Sequence, residues 1–216
     1  MTDNNTAKKL RTEALGKKTA EALNRRRFEA YYCEDKETAL KKALELIPEG
    51  SSVCWGGSAT MEETGIIEKL KRGNYKLLDR SIAKSREEAL NISRQAFTAD
   101  YFIMSSNAIS ADGQLVNIDG MGNRAAALIF GPKNVIVIAG INKIAADIEA
   151  AIARARNIAA PMNIQRFGLE KAPCIKTGIC HDCYAEDCIC ANIVITRISK
   201  PAGKIKVIIA GEDLGF

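Results

Sequence analysis

The sequence contains no apolar run near the roughly 18 residues that a membrane-spanning helix requires. The start of the chain, MTDNNTAKKLRTEAL, also lacks the apolar core of a secretory signal. Together these absences predict a cytoplasmic protein, in which glutathione and thioredoxin keep thiols reduced. Disulfide bonds are therefore disfavoured for its seven cysteines.

Aromatic residues are scarce, at 6% of the chain, and no excess of one charge extends along it. The net charge of +5 arises in residues 1–27, where eight Lys and Arg residues face three carboxylates. A nucleic-acid surface requires gathered basic residues with aromatic side chains to stack bases, and neither recurs downstream. Residues 1–27 are predicted to form a basic helix with a solvated face, with nucleic acid or anionic lipid as less favoured partners.

Nucleotide and electron-transfer motifs are missing too. The chain contains neither G-x-G-x-x-G nor a P-loop, so no flavin or nicotinamide fingerprint is found. It also lacks the ferredoxin pattern C-x2-C-x2-C-x3-C-P, which disfavours an electron relay within this polypeptide. With no repeat and no low-complexity linker, we expect residues 28–216 to form a single domain with a cysteine-rich insertion at 174–190.

The order of the predicted elements indicates the fold class. Strand-like apolar segments alternate with helical segments of ten to fifteen residues, such as Lys36–Ile47 and Ala59–Arg72. Val135–Ala139 is almost entirely β-branched, as in a strand buried on both faces. This alternation predicts an α/β protein with a twisted, largely parallel sheet and helices on both faces, plus an irregular cysteine-rich loop. Ligands of such sheets bind beyond the carboxyl ends of the strands.

Three polar loops follow predicted strands at that edge. Residues 56–60 combine two glycines with hydroxyls, residues 105–124 carry asparagines and an arginine, and residues 142–143 are Asn-Lys. Backbone amides beside glycines, together with basic side chains, favour a small carboxylate or phosphorylated ligand. The predicted ligand-binding residues are Gly56, Gly57, Ser58, Thr60, Asn107, Asn117, Asp119, Gly120, Gly122, Asn123, Arg124, Asn142 and Lys143.

No catalytic residue is singled out by these loops. Glu62 and Asp119 are candidate acids or bases, followed by Glu63 and Asp112. Each has a structural alternative: the glutamates suit the dipole of a helix start, and Asp112 suits a hairpin turn within Ile109–Ile118. Asp119 is equally suited to an ion pair with Arg124.

Five cysteines lie within seventeen residues, in the spacing C-x5-C-x2-C-x4-C-x-C. They are Cys174, Cys180, Cys183, Cys188 and Cys190. One C-x2-C pair is typical of a zinc knuckle, and an iron–sulfur cluster also takes four thiolates. Zinc or another structural metal, an iron–sulfur cluster, and reduced or redox-active thiols remain open. His181, the only histidine, is a ligand, a base or a surface residue, and Cys33 and Cys54 are predicted to lie in the core.

The stretch TADYFIMSSNAISADGQLVNIDGMGNRAAALIFGPKNVIVIAGINKI resembles the LUD-domain family, the lactate utilisation proteins. The segments GGSATMEETG, AAPMN, CIKTGICHDC and GEDLGF fit the same family, so the resemblance covers most of the chain. It implies a fold like that of ribose-5-phosphate isomerase and the CoA transferases. It also implies a role in the oxidation of lactate to pyruvate beside partner subunits that carry iron–sulfur clusters.

Three hypotheses about function follow. The first is an accessory protein or subunit of a lactate-oxidising system. The second is a free-standing isomerase or acyl-CoA-transferase-type enzyme, and the third is a metal or redox sensor. A homo-oligomer is compatible with each of them.

Overall fold

A computed structural model describes residues 3–216, so the first two residues of the predicted basic segment lie outside the described part. Its ten strands are β1 (Glu29–Cys33), β2 (Ser52–Trp55), β3 (Lys76–Leu78), β4 (Tyr101–Met104), β5 (Ala108–Ser110), β6 (Leu115–Asp119), β7 (Asn134–Gly140), β8 (Ile144–Ala145), β9 (Asn192–Thr196) and β10 (Ile205–Ala210). Six of them form a sheet in the order β1-β10-β7-β4-β2-β3, and every neighbouring pair in it is parallel.

The described helices connect these strands. They are α1 (Asn4–Arg25), α2 (Lys36–Glu45), α3 (Ala59–Thr64), α4 (Ile66–Arg72), α5 (Arg86–Gln95), α6 (Asn123–Ile129), α7 (Ile148–Arg154), α8 (Ala160–Arg166) and α9 (Cys174–Thr177). Short 3-10 turns occupy Arg80–Ile82, Ala96–Thr98 and Ile141–Lys143, and a π-helical segment occupies Ala155–Ala159. None of the helices in residues 3–216 is both long and apolar enough to cross a membrane.

Both faces of the six-stranded sheet are covered, which confirms the predicted α/β class. On one face, Ala39 of α2 and Met61 of α3 pack with Ile138 of β7. On the other face, Leu23 of α1 and Leu128 of α6 join a second apolar cluster. Burial on both sides explains why β7 has no polar alternation.

A second, four-stranded sheet in the order β8-β5-β6-β9 was not predicted. β5 and β6 form the expected hairpin, and β9 adds to β6 in antiparallel register. Val116 and Ile118 of β6 pack with Ala151 of α7 and Ala155 of the π-helical segment. β9 and β10, the last two strands along the chain, belong to different sheets.

The predicted Ala59–Arg72 helix has different limits in the structure, and another helical region contains an irregular segment. Gly65 adopts φ +68° and divides the predicted Ala59–Arg72 helix into α3 and α4. Helical structure beginning at Ile148 continues past Pro161, because the π-helical segment precedes it. Proline has no N–H to donate to the carbonyl four residues earlier, and a π-helical segment accommodates that missing bond.

The C-terminal half of the first helix is docked on the sheet, whereas residues 4–11 are exposed on every side. Gly16, Ala20 and Leu23 are among its buried residues. A Cβ built on Gly16 would lie 2.3 Å from Cδ2 of Tyr32 in β1, so only glycine permits this approach. The basic side chains of residues 4–25 therefore belong to the exposed side of a helix that contributes to the core.

Candidate functional site

A polar cleft of about 290 Å³ lies where β2, β4 and β7 end. The loops after these strands meet there because the carboxyl ends of parallel strands share one edge of the sheet. Predicted ligand-binding residues that line the cleft are Gly56, Gly57, Ser58, Thr60, Asn107, Asp119, Gly120, Asn123, Arg124 and Lys143. Ten of the thirteen predicted ligand-binding residues therefore meet in one cleft.

Lys143 is the most unusual group in the cleft. Its side chain is only 2% exposed, and Nζ donates to Oγ1 of Thr60 at 2.8 Å and to Oγ of Ser105 at 2.9 Å. Burial, assisted by the charges of Arg154 and Arg124, lowers the pKa of Lys143 to about 7. The amine is therefore divided between its charged and neutral forms near neutral pH.

Arg124 links the loops that form the cleft. Nη1 donates to the carbonyl of Ser105 at 3.1 Å, and Nη2 donates to Oδ1 of Asn107 at 2.8 Å and to the carbonyl of Ile118 at 2.7 Å. A Cβ on Gly56 would lie 3.0 Å from Cδ of Arg124, so the glycine leaves room for the arginine stem. Much of the guanidinium is used within the protein, although Arg124 still lines the cleft.

Asp119 is held by backbone amides at the start of α6. Its Oδ1 accepts from the N–H of Gly122 and its Oδ2 from the N–H of Ala125, both at 2.9 Å. Nε of Arg124 lies 4.0 Å from Oδ2, at the outer limit of an ion pair. This bonding favours a structural role for the carboxylate, since both oxygens are already used.

Two further arginines complete the cleft and were not predicted from the sequence. Arg80 and Arg166 line it together with Phe167 and Phe216. The guanidinium carbon of Arg166 lies 5.2 Å from the ring centre of Phe167 and 5.7 Å from that of Phe216. Neither arginine lies in a recognisable motif, and the segments AAPMN and GEDLGF were the sequence signals near this part of the cleft.

Three predicted ligand residues do not line the cleft. Asn117 is fully buried in β6, and Gly122 forms the turn before α6 with φ +80°. Asn142 holds the end of the chain, because Oδ1 accepts from the N–H of Leu214 at 3.1 Å and Nδ2 donates to the carbonyl of Gly215 at 3.0 Å. Asn142 therefore supports the cleft from behind.

The other candidate acids and bases also lie outside the lining. Glu62 is exposed and 3.7 Å from Arg166, while Glu63 accepts from the N–H of Gly215 at 2.7 Å. Asp112 pairs with Arg26 of the first helix region at 2.6 Å. Among the lining residues that the structure describes, Asp119 is the one carboxylate.

The cysteine segment adjoins the cleft through Ile189. A Cβ on Gly120 would lie 3.4 Å from Cα of Ile189, which lines the cleft. The five clustered cysteines are free thiols of intermediate exposure, whereas Cys33 and Cys54 are buried as expected. Within residues 3–216, no three His, Cys, Asp or Glu side chains converge as a ligand set for a metal ion.

The cleft is chemically suited to an anion. Four basic side chains line it, namely Arg80, Arg124, Lys143 and Arg166, against the single carboxylate. Low-dielectric surroundings strengthen the attraction of the buried cations for negative charge. Hydroxyls and amides at residues 57–60 add uncharged donors.

Fold and site together define a small α/β protein with an anion-suited cleft at the carboxyl edge of a parallel sheet. The sequence matches the LUD domain over residues 16–210, so the chain belongs to the LUD-domain family, which is linked to lactate utilisation. A search of curated proteins finds no significant match.

Solved structures with a similar fold include a DUF162 family protein from Deinococcus radiodurans. It has a TM-score of 0.53 and 10% identity, over 92% of this chain and 98% of that chain. Weaker similarities include the tetrameric eIF2B-beta2-delta2 complex from C. thermophilum, with a TM-score of 0.43, 15% identity and coverage of 80% and 55%. Another is ribose 5 phosphate isomerase A from Neisseria gonorrhoeae, with a TM-score of 0.34 and 18% identity, over 52% of this chain and 54% of that chain. The first similarity supports the fold, and the other two scores are too low to support a conclusion about this chain.

Proposed function

We propose that this protein serves the oxidation of lactate to pyruvate as an accessory protein or subunit, in the cytoplasm, beside partner proteins that carry iron–sulfur clusters. Its cleft binds a small carboxylate or phosphorylated anion. The observation that carries this proposal is the buried amine of Lys143, which has two hydroxyl partners and no carboxylate within hydrogen-bonding distance among the described residues. A bound anion supplies the missing negative charge.

Binding is tested by calorimetry of the full chain with pyruvate, lactate and inorganic phosphate. We expect at least one to bind, and we expect Lys143→Met and Arg166→Gln to weaken that binding tenfold or more. Lys206→Met is the matched control, because Lys206 is a mostly buried lysine at the amino end of β10, bonded to the carbonyl of Gly203 at 2.8 Å. The absence of binding by all three anions contradicts the anion site.

The pathway is tested in the organism that carries the gene. Growth on lactate is expected to fail when the gene is deleted and to return with the wild-type chain, and iron–sulfur proteins are expected to co-purify with the chain from lactate-grown cells. Normal growth of the deletion strain on lactate, without such partners, rules the role out. The Lys143→Met chain tests whether the cleft is needed for growth.

A free-standing enzyme of the isomerase or acyl-CoA-transferase type is the second candidate, and the pKa of Lys143 favours it. A group with a pKa of about 7 can donate or accept a proton at neutral pH. Turnover of ribose 5-phosphate or an acyl-CoA by the purified chain, abolished by Lys143→Met, supports this candidate. Asp119→Asn keeps an acceptor for only one of the N–H groups of Gly122 and Ala125, so its turnover is read together with its thermal stability.

A further inference from the structure

The five clustered cysteines surround one small cavity that is separate from the cleft. The cavity measures about 60 Å³, and all five cysteines line it. Its remaining walls include the apolar side chains of Ala160, Pro161 and Ile164 in α8, and Ala172. Thiols that are far apart in the loop, from Cys174 to Cys190, are therefore brought to one place by the fold.

Two of these sulfurs accept hydrogen bonds from neighbouring groups. Sγ of Cys180 accepts from the N–H of Asp182 at 3.4 Å and lies 3.5 Å from Nη2 of Arg156. Sγ of Cys188 accepts in the same way from the N–H of Cys190 at 3.4 Å. Cysteine binds a metal as the thiolate, so metal binding at this cavity releases protons.

Asp182, which lies between the two cysteines of the C-x2-C pair, has an unusual backbone conformation. Its φ is +53°, a value that residues other than glycine adopt infrequently. Nη2 of Arg156 donates to Oδ1 of Asp182 at 2.6 Å, which ties this part of the loop to the π-helical segment. Cys180 and Cys183, on either side of Asp182, line the same cavity.

We propose that the thiol cluster, Cys174, Cys180, Cys183, Cys188 and Cys190, is a metal site in which four of the five thiolates hold a thiophilic centre, either a zinc ion or an iron–sulfur cluster. Sets of four thiolates select these two centres over harder metals. The sulfurs line the cavity without converging on one point, and rotation of the side chains on this irregular loop brings them together.

A metal explains how the loop keeps a defined shape. Residues 178–191 contain neither helix nor strand, and the loop has no disulfide among its described cysteines. Metal binding contributes folding free energy to small segments that lack a core of their own. The backbone of Ile189 lies between this cavity and Gly120, so the metal site forms part of the wall of the cleft.

The test uses the full chain, purified anaerobically from cells supplied with zinc and iron, with any affinity tag removed. We expect about one zinc per chain without colour, or about four iron and four sulfide with brown absorption, and these readings distinguish the two centres. Cys180→Ser and Cys183→Ser each leave four thiols, so the two are also combined, and the double variant with three thiols is expected to lose the metal. Cys33→Ala, which alters a core cysteine, is expected to keep it.

Cobalt titration of the metal-free wild-type chain gives an answer even if the serine variants do not fold. Four-thiolate coordination produces intense sulfur-to-cobalt absorption, which is expected to saturate near one equivalent, about one ion per site. The proposal is overturned if the anaerobic protein holds neither metal and cobalt produces no such absorption. It is also overturned if the double serine variant folds and retains its full metal content. These measurements do not depend on whether the cleft binds an anion.

Discussion

Lys143 combines a positive charge with almost complete burial. The free-energy cost of burying that charge should appear in the pH dependence of stability. In the unfolded chain its pKa is about 10.4, whereas in the folded protein it is about 7. Between these values the unfolded state binds more protons, so the free energy of unfolding rises with pH. Below pH 7 Lys143 is protonated in both the folded and the unfolded state, so the folded protein bears the full free-energy cost of burying the charged amine.

The prediction is made for the difference between wild type and Lys143→Met. From pH 7 to pH 9, the free energy of unfolding of the wild type should rise by about 2 kcal/mol relative to the variant. Chemical denaturation of both proteins at several pH values measures this directly. Parallel curves for the two proteins contradict a depressed pKa in the folded state.

Asn117 gives a second prediction at the residue scale. It is fully buried, and among the described residues neither its Nδ2 nor its Oδ1 has a hydrogen-bond partner. Burying an unpaired amide costs about 1–3 kcal/mol. Asn117→Leu, which keeps a similar size, is expected to raise the free energy of unfolding by about 1 kcal/mol. Denaturant titration measures the change.

Asn107→Leu is the matched control for Asn117→Leu. Oδ1 of Asn107 accepts from the N–H of Ile118 at 2.9 Å and from Nη2 of Arg124 at 2.8 Å. Its replacement leaves the N–H of Ile118 without a partner and removes one of the three hydrogen bonds of Arg124, so stability should fall by about 1–3 kcal/mol. Destabilisation of similar size in both leucine variants contradicts the distinction drawn between the two asparagines.

At the scale of elements, the β5–β6 hairpin depends on its contact with α1. Gly113 adopts φ +93°, and a Cβ there would lie 2.7 Å from the backbone carbon of Ala22 and the backbone nitrogen of Leu23. Gly113→Ala is therefore expected to lower the free energy of unfolding by about 3 kcal/mol, through backbone strain and a clash with the helix backbone. Thermal and chemical denaturation measure this loss.

Gly50 provides the comparison for that hairpin glycine. It has φ +80°, and a Cβ built there meets nothing within 4 Å. Gly50→Ala incurs only the backbone cost of about 1 kcal/mol. Equal losses in the two alanine variants contradict the role of the α1 contact.

The sequence predicted the parallel sheet because its central strands are continuous apolar runs, which periodicity identifies. It did not predict the small sheet. β8 has only two residues. In β9 apolar side chains do not mark a buried face, since Ile193 and Ile195 are 46% and 42% exposed. The order of strands in this sheet is set by pairing between segments that are distant in the sequence, such as Val116 with Ile195.

The site was predicted where loops follow buried strands, as with Gly56 and Lys143. Arg80 and Arg166 were missed because one lies in a 3-10 turn and the other at the end of a helix, and only the fold brings them to the cleft. Asn142 was predicted to bind the ligand because it directly precedes Lys143 in the same loop. In the structure their side chains point to different partners, Asn142 to the end of the chain and Lys143 to Thr60.

At the scale of the whole molecule, the end of the chain closes the cleft formed by much earlier segments. The N–H of Ile141 donates to the carbonyl of Glu212 at 3.0 Å, and Oγ1 of Thr60 donates to the carbonyl of Leu214 at 3.2 Å. A Cβ on Gly140 would lie 2.4 Å from the nitrogen of Leu214, so the tail packs directly on β7. Asn142 supplies the two further bonds that hold the tail.

Asn142→Ala should therefore release the tail while the sheet stays folded. We expect the amide of Leu214, which donates to Oδ1 of Asn142, to exchange hydrogen at least tenfold faster, because local opening then requires less free energy. The amide of Gly215 keeps its bond to Oε2 of Glu63 and is expected to change less. Hydrogen exchange followed by mass spectrometry measures this. Asn123→Ala, which alters another asparagine of the cleft, should leave tail exchange unchanged. If tail exchange is the same in Asn142→Ala as in the wild type, Oγ1 of Thr60 and the packing on Gly140 suffice to hold the tail.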